Sequence, residues 1–258
     1  MNYLIAGLAK SGTTILFSLV KKSLNPSTCT FFEPDRNEQF AEILDTGRRS
    51  DTLTKVLIGR VKSDNTYLGK FDKHIVIYRD PRDQFISMLL YLFYDLQLNG
   101  DTRGFRQASE ALERKIAAPG KYSTVDLYNQ ISSLVGRAPI AVFKNLHKEQ
   151  RAYIDSFSPH LLRYEDFIDG DLQALEQYLC LDLQQDAEVP KIYQRVARSR
   201  GYGEWENWLN QEDLEYVQAE WGETLSRLGY SALSRPGELN IQESTSLDYI
   251  KQFDPSGR

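Results

Sequence analysis

Apolar, β-rich runs alternate with longer stretches of helical period along the chain. Tyr3–Ala6 predicts a first buried strand, and the pattern from Thr13 to about Leu24 predicts a helix stopped by Asn25 and Pro26. Thr28–Phe32 predicts a second strand. His74–Tyr78 (H-I-V-I-Y) predicts a third and stronger one, running into Asp80-Pro81, a cap residue followed by proline at the first helical position. That helix continues to about Leu98. Ile140–Phe143 and Leu161–Tyr164 predict further short strands, and Gln211–Leu228 an amphipathic helix. Strands separated by helices imply an α/β fold of three layers, a central parallel sheet flanked by helices. Gly100–Gly136 reads as a mostly helical, polar insertion over the sheet edge. From Ser234 the chain turns polar through Arg235-Pro236-Gly237, so we expect one domain over 1–233 and a partly ordered tail over 234–258.

Composition narrows the classes. The 258 residues are 41% hydrophobic and 26% charged, values of a globular chain rather than a disordered one. Lys plus Arg is 31 against 36 Asp plus Glu, a net charge of −5, which argues against a general nucleic-acid binder but leaves room for one local basic pocket. Cys29 and Cys180 make no disulfide framework or zinc motif, and a reducing cytoplasm is the simpler setting. The stretch M-N-Y-L-I-A-G is too short and too poor in basic residues for a signal peptide. The longest apolar run, Phe85–Tyr94, spans ten residues, where a membrane helix needs about 20. A soluble protein without a membrane span is the expectation.

The first strand runs into G-L-A-K-S-G-T-T, Gly7–Thr14, and then directly into a helix. A loop of small residues at a strand-to-helix junction turns several N–H groups towards one point, where the helix dipole also favours an anion. Lys10 supplies a full charge, and Thr13 and Thr14 supply hydroxyls. Gly7 and Gly12 have Walker spacing, but Thr13 stands where a Walker loop has lysine, so this is not a standard ATP or GTP site. The plainer reading is a small-residue turn carrying a surface lysine. Arg79 closes the third strand, at the edge where open α/β sheets place ligands, and Ser87 follows eight residues on. The two can hold a second phosphate. Alternatively, Arg79 and Arg82 pair with Asp80 or Asp83 and only cap the helix.

These segments together resemble the PAPS-dependent sulfotransferases, whose donor is 3′-phosphoadenosine 5′-phosphosulfate. The family's K-S-G-T-T loop, which holds the 5′-phosphosulfate, is matched by Lys10, Ser11, Gly12, Thr13 and Thr14. Its strand ending in Arg with Ser eight residues later, which holds the 3′-phosphate, is matched by Arg79 and Ser87. L-L-R-Y-E-D-F resembles the family's strand ending in Y-E-D, placing Tyr164 near the adenine. R-S-R-G-Y-G-E-W resembles the R-[KS]-G-x-x-G-x-W segment that folds over the donor. The ungapped match gives Arg198 and Ser199 the 3′-phosphate contacts, with Arg200 a second candidate. Ile15 stands where many cytosolic members have Trp, with some loss of stacking on adenine. The resemblance covers residues 1 to about 230 and implies a P-loop NTPase-like sulfotransferase fold.

It also implies sulfuryl transfer from PAPS to a hydroxyl, in preference to an amine, of a small-molecule or carbohydrate acceptor, without a metal. Lys10 is then the group that neutralises the leaving oxygen. The segment F-E-P looks like that of carbohydrate-type relatives and makes Glu33 the candidate base. Glu33 can instead cap a turn or pair with Arg36, and Asp35, Lys70 and Asp72 stay open as bases. His74 should lie at the amino end of its strand, away from the ligand edge. The acceptor pocket is expected from loops over 34–65 and 92–121, with Tyr91, Phe93 and Tyr94 lining it or lying in the core. Two other classes stay open: a P-loop kinase acting on a small metabolite, and a non-catalytic nucleotide-binding protein. Acceptor identity and oligomeric state are not legible.

Overall fold

Five strands form one all-parallel sheet in the computed structural model: β1 (Asn2–Gly7), β2 (Cys29–Phe32), β3 (Thr52–Leu57), β4 (Lys73–Tyr78) and β5 (His160–Arg163). Their order across the sheet is β2-β3-β1-β4-β5. The structure describes residues 1–61, 64–183, 201–231 and 238–255. Contacts divide the chain into two compact units, Met1–Arg79 with Leu146–Ala197, and Asp80–Asn145 with Arg198–Arg258.

The first unit holds the sheet and has three layers. Alternation along each strand sends Tyr3, Ile5, Leu53, Ile75 and Ile77 to one face, where they meet Leu16, Phe17, Leu19 and Val20 of α1 (Thr13–Ser23). Phe167 of α7 (Tyr164–Asp169) and Leu175 and Leu179 of α8 (Gln173–Leu179) complete that layer. Leu4, Ala6, Val56 and Val76 point the other way, onto Phe40 and Ile43 of α2 (Asn37–Thr46) and onto Tyr153 in the later part of α6 (Val142–Phe157). Burial on both faces is what a parallel sheet requires.

Two expectations need correction here. The stretch 34–65 is not one loop: it contains α2 and the interior strand β3, so His74–Tyr78 lies in the fourth strand. Ile140–Phe143 is not a strand. Phe143 N–H bonds back to the Ile140 carbonyl at 2.9 Å, and the run turns into α6. A short apolar run beside Pro139 fits either element, and the amphipathic period beyond it decides for helix.

The second unit is helical in its described residues. It contains α3 (Pro81–Leu98), α4 (Thr102–Ala117), α5 (Thr124–Leu134), α9 (Trp205–Trp208), α10 (Gln211–Arg227) and α11 (Leu247–Lys251). Phe85, Tyr128, Phe143 and Trp221 pack as one aromatic cluster, with Phe85 5.4 Å from Tyr128 and 5.6 Å from Trp221. Asp213, fully buried, accepts from Ser123 Oγ at 2.6 Å and from the Thr124, Val125 and Asn210 N–H groups, so one carboxylate ties the starts of α5 and α10 together. Phe93 is core. Tyr94 stacks edge-on against Phe253, and Tyr249, Ile250 and Phe253 of the C-terminal segment are buried.

Candidate active site

Because the sheet is parallel, every strand's carboxyl end lies at the same edge. The register pairs Gly7 with Leu57 and Tyr78 with Arg163, so the segments that follow emerge side by side. After β1 comes the Gly7–Thr14 loop. Gly7 has no room for a side chain: a Cβ there would meet the Ile77 carbonyl oxygen at 2.6 Å. Gly12 is the N-cap of α1 at φ 94, and a Cβ there would lie 2.5 Å from the Tyr164 ring. Ser11 is buried, its Oγ donating to the Leu8 carbonyl at 2.8 Å, so this hydroxyl braces the loop. Thr13 is buried and Thr14 half-buried at the first turn of α1. That turn has neither a side-chain cap nor an acidic residue. Its N–H groups and positive dipole end therefore suit an anion, as does the charge of Lys10.

Arg79, at the end of β4, is 7% exposed. Its Nη1 donates to the Lys10 carbonyl at 3.4 Å, and its guanidinium lies 4.4 Å from the centre of the Tyr164 ring. Tyr164, just past β5, is 2% exposed and wedged against Gly12 and Arg79. Loop, arginine and tyrosine thus form one packed group. Asp80 pairs with Arg82 through Nε and Nη2, at 2.6 Å for the closest contact, and caps α3.

Ser87 lies buried in the second turn of α3, within the second unit. In that unit the Asp83 carboxylate accepts from the N–H groups of Gly203 at 2.5 Å and Trp205 at 3.1 Å, and Arg82 stacks on Trp205 at 3.7 Å. Arg198, Ser199 and Arg200 lie outside the described residues.

Glu33 follows β2 in the left-handed region, φ 56, and Lys10 does so after β1, φ 67. Two non-glycine residues in this strained region mark the edge as a candidate site. The partners of the Glu33 carboxylate are Lys55 and Arg60 rather than Arg36. Glu33 Oε1 accepts from Lys55 Nζ, its Oε2 from Arg60 Nη1 at 2.9 Å, and its N–H donates to the Lys55 carbonyl at 2.7 Å. Lys55 is 2% exposed in the middle of the sheet, set between Ile5 and Phe32 by register, with its ammonium over the Phe32 ring. Burial lowers its pKa against the opposing pull of Glu33. Sequence reasoning missed Lys55 and Arg60. The usable signal was the β-branched alternation T-L-T-K-V-L.

His74 sits near the amino end of β4, buried, its Nε2 2.9 Å from Tyr153 Oη, with its pKa pushed down to about 4 by burial. Among the described residues no three His, Cys, Asp or Glu side chains gather as a metal site, and no helix is long and apolar enough to cross a membrane.

No family model matches the sequence, and no curated protein matches it. Among solved structures, mouse sulfotransferase SULT7A1 complexed with PAP is similar at a TM-score of 0.51 and 12% identity, over 98% of this chain and 89% of that one. The chain has the fold of that sulfotransferase. In this sulfotransferase fold, Lys10, Glu33 and Arg79 all stand at the carboxyl edge of one sheet.

Proposed function

We propose that the protein transfers the sulfuryl group of 3′-phosphoadenosine 5′-phosphosulfate to a hydroxyl, in preference to an amine, on a small-molecule or carbohydrate acceptor, in a reducing cytoplasm. The reading rests chiefly on the anion-suited Gly7–Thr14 loop joined through the Lys10 carbonyl to Arg79. The likeness to a sulfotransferase complexed with PAP supports it.

In this scheme the N–H groups of the loop and the hydroxyls of Thr13 and Thr14 hold the 5′-phosphate, with Ser11 bracing the loop. Arg79, Ser87, Arg198 and Ser199 or Arg200 take the 3′-phosphate. Tyr164, buried beneath Gly12 and Arg79, shapes both phosphate sites and adjoins the adenine. The acceptor oxygen attacks sulfur in line, its proton passes to Glu33, and the bond from sulfur to the phosphate oxygen breaks. Adenosine 3′,5′-bisphosphate leaves with Lys10 opposing the charge on that oxygen.

Calorimetry with adenosine 3′,5′-bisphosphate, adenosine 5′-monophosphate, ATP and GTP tests the donor. Each charge-assisted bond to the 3′-phosphate is worth about 1.5–3 kcal/mol, so the bisphosphate should bind at least tenfold more tightly than the monophosphate. Equal affinity for the two overturns the donor assignment, and tighter binding of ATP points to a kinase. Turnover of PAPS separates an enzyme from a nucleotide-binding protein that has lost its chemistry.

A further inference from the structure

The two cations on Glu33 are not equivalent. Lys55 is fixed: its side chain is 2% exposed, it sits inside the sheet between Ile5 and Phe32, and its ammonium lies 4.3 Å from the centre of the Phe32 ring. Withdrawing it from the carboxylate would strand a buried charge, which is strongly destabilising. Arg60 is different. It stands in the turn after β3, where its N–H bonds to the Leu57 carbonyl at 3.0 Å, and its side chain is 61% exposed. With its cation in solvent, this pair contributes less than the buried contact to Lys55.

Both Glu33 oxygens already accept from a cation, which leaves each with one lone-pair site and makes the carboxylate a weaker base while both cations stay in place. Oε1 is tied inward by Lys55. Of the two, Oε2 is the oxygen whose partner can leave at the smaller cost, because Arg60 is exposed and Lys55 is not. Resting on the sulfotransferase reading above, we propose that Arg60 is an acceptor-binding residue that exchanges the Glu33 carboxylate for an anionic group on the acceptor. The enzyme thereby selects hydroxylated acceptors that carry a carboxylate, phosphate or sulfate beside the reacting hydroxyl. The planar guanidinium fork suits each of these anions, and it stays tethered next to the base it has uncovered. A neutral acceptor must open the same ion pair without supplying a replacement anion. The exchange is a binding step. The only proton transferred is that of the reacting hydroxyl, from acceptor oxygen to Glu33 Oε2.

The experiment pairs acceptors that differ in one group, 4-nitrophenyl β-D-glucoside and 4-nitrophenyl β-D-glucuronide. Affinity is measured by calorimetry on the enzyme saturated with adenosine 3′,5′-bisphosphate, and kcat/KM is measured with PAPS. In the wild type the glucuronide is expected to bind and turn over at least tenfold better. Arg60→Ala should collapse that ratio towards one through KM, Arg60→Lys should restore part of it, and neither should change affinity for the bisphosphate. Equal use of both glycosides by the wild type, or an unchanged ratio in Arg60→Ala, overturns the role of Arg60 while leaving sulfuryl transfer intact. Failure of the bisphosphate to bind the wild type overturns the donor reading, and this inference with it.

Discussion

A lysine with 2% of its side chain exposed needs a matched charge, and the Glu33 carboxylate supplies one to Lys55. Glu33 therefore has a structural task besides the proposed catalytic one, and a single substitution confounds the two. Glu33→Gln should cut kcat by about 10²–10⁴-fold as a lost base. It should also lower stability, by up to about 3 kcal/mol, by leaving Lys55 without its anion. The double variant Glu33→Gln/Lys55→Met separates the effects, because a neutral pair of similar volume removes the stranded charge. We expect its melting temperature to recover towards wild type while kcat stays low. If turnover returns along with stability, Glu33 is a structural partner and the base lies elsewhere.

At the scale of elements, the phosphate loop and the strand ends are set by packing that leaves little slack. Gly12→Ala must hold an alanine at φ 94 and push it against a ring that a Cβ would meet at 2.5 Å. Left-handed strain of about 1–2 kcal/mol and overpacking of about 1–3 kcal/mol should together lower the melting temperature by roughly 4–20 °C. Adding Tyr164→Leu removes the ring and should return only the overpacking share. A Gly12→Ala protein that melts with the wild type would contradict the left-handed loop. This loop was legible in the sequence because its signals are local: small residues, a lysine and a helix start in eight consecutive positions. The H-I-V-I-Y strand with its Asp80-Pro81 helix start was legible for the same reason. β3 was not. An interior parallel strand normally reads as a continuous apolar run, whereas β3 buries Thr52, Thr54 and Lys55. Lys55 is tolerated there because Glu33, 22 residues earlier, meets it through the β2–β3 register. Such a pairing exists only once the sheet has formed, so Lys55 and Arg60 were hidden as parts of the site.

At the scale of the molecule, two buried histidines make the unit that carries the sheet sensitive to acid. Burial pushes both His74 and His147 down to about 4, from 6.5 in an exposed chain. Between those values the unfolded chain binds more protons than the native one, so stability rises with pH. It is fully present above pH 6.5 and is lost as pH falls towards 4. Each histidine contributes a slope of up to about 1.4 kcal/mol per pH unit. Two such slopes across that window amount to at most about 7 kcal/mol, a large share of a typical total of about 5–15 kcal/mol. Urea midpoints measured from pH 4.5 to 7.5 should therefore climb steeply and then level off near the ordinary histidine pKa. His74→Gln should remove about half of the slope, whatever it does to absolute stability. A profile already flat between pH 5 and 6.5 contradicts the neutral buried histidines. An acid limb in turnover over this range therefore reports a proton taken up by His74 or His147 on unfolding as readily as one taken up by a catalytic base. Assigning such a limb to Glu33 requires that the fraction folded be measured at each pH and divided out first.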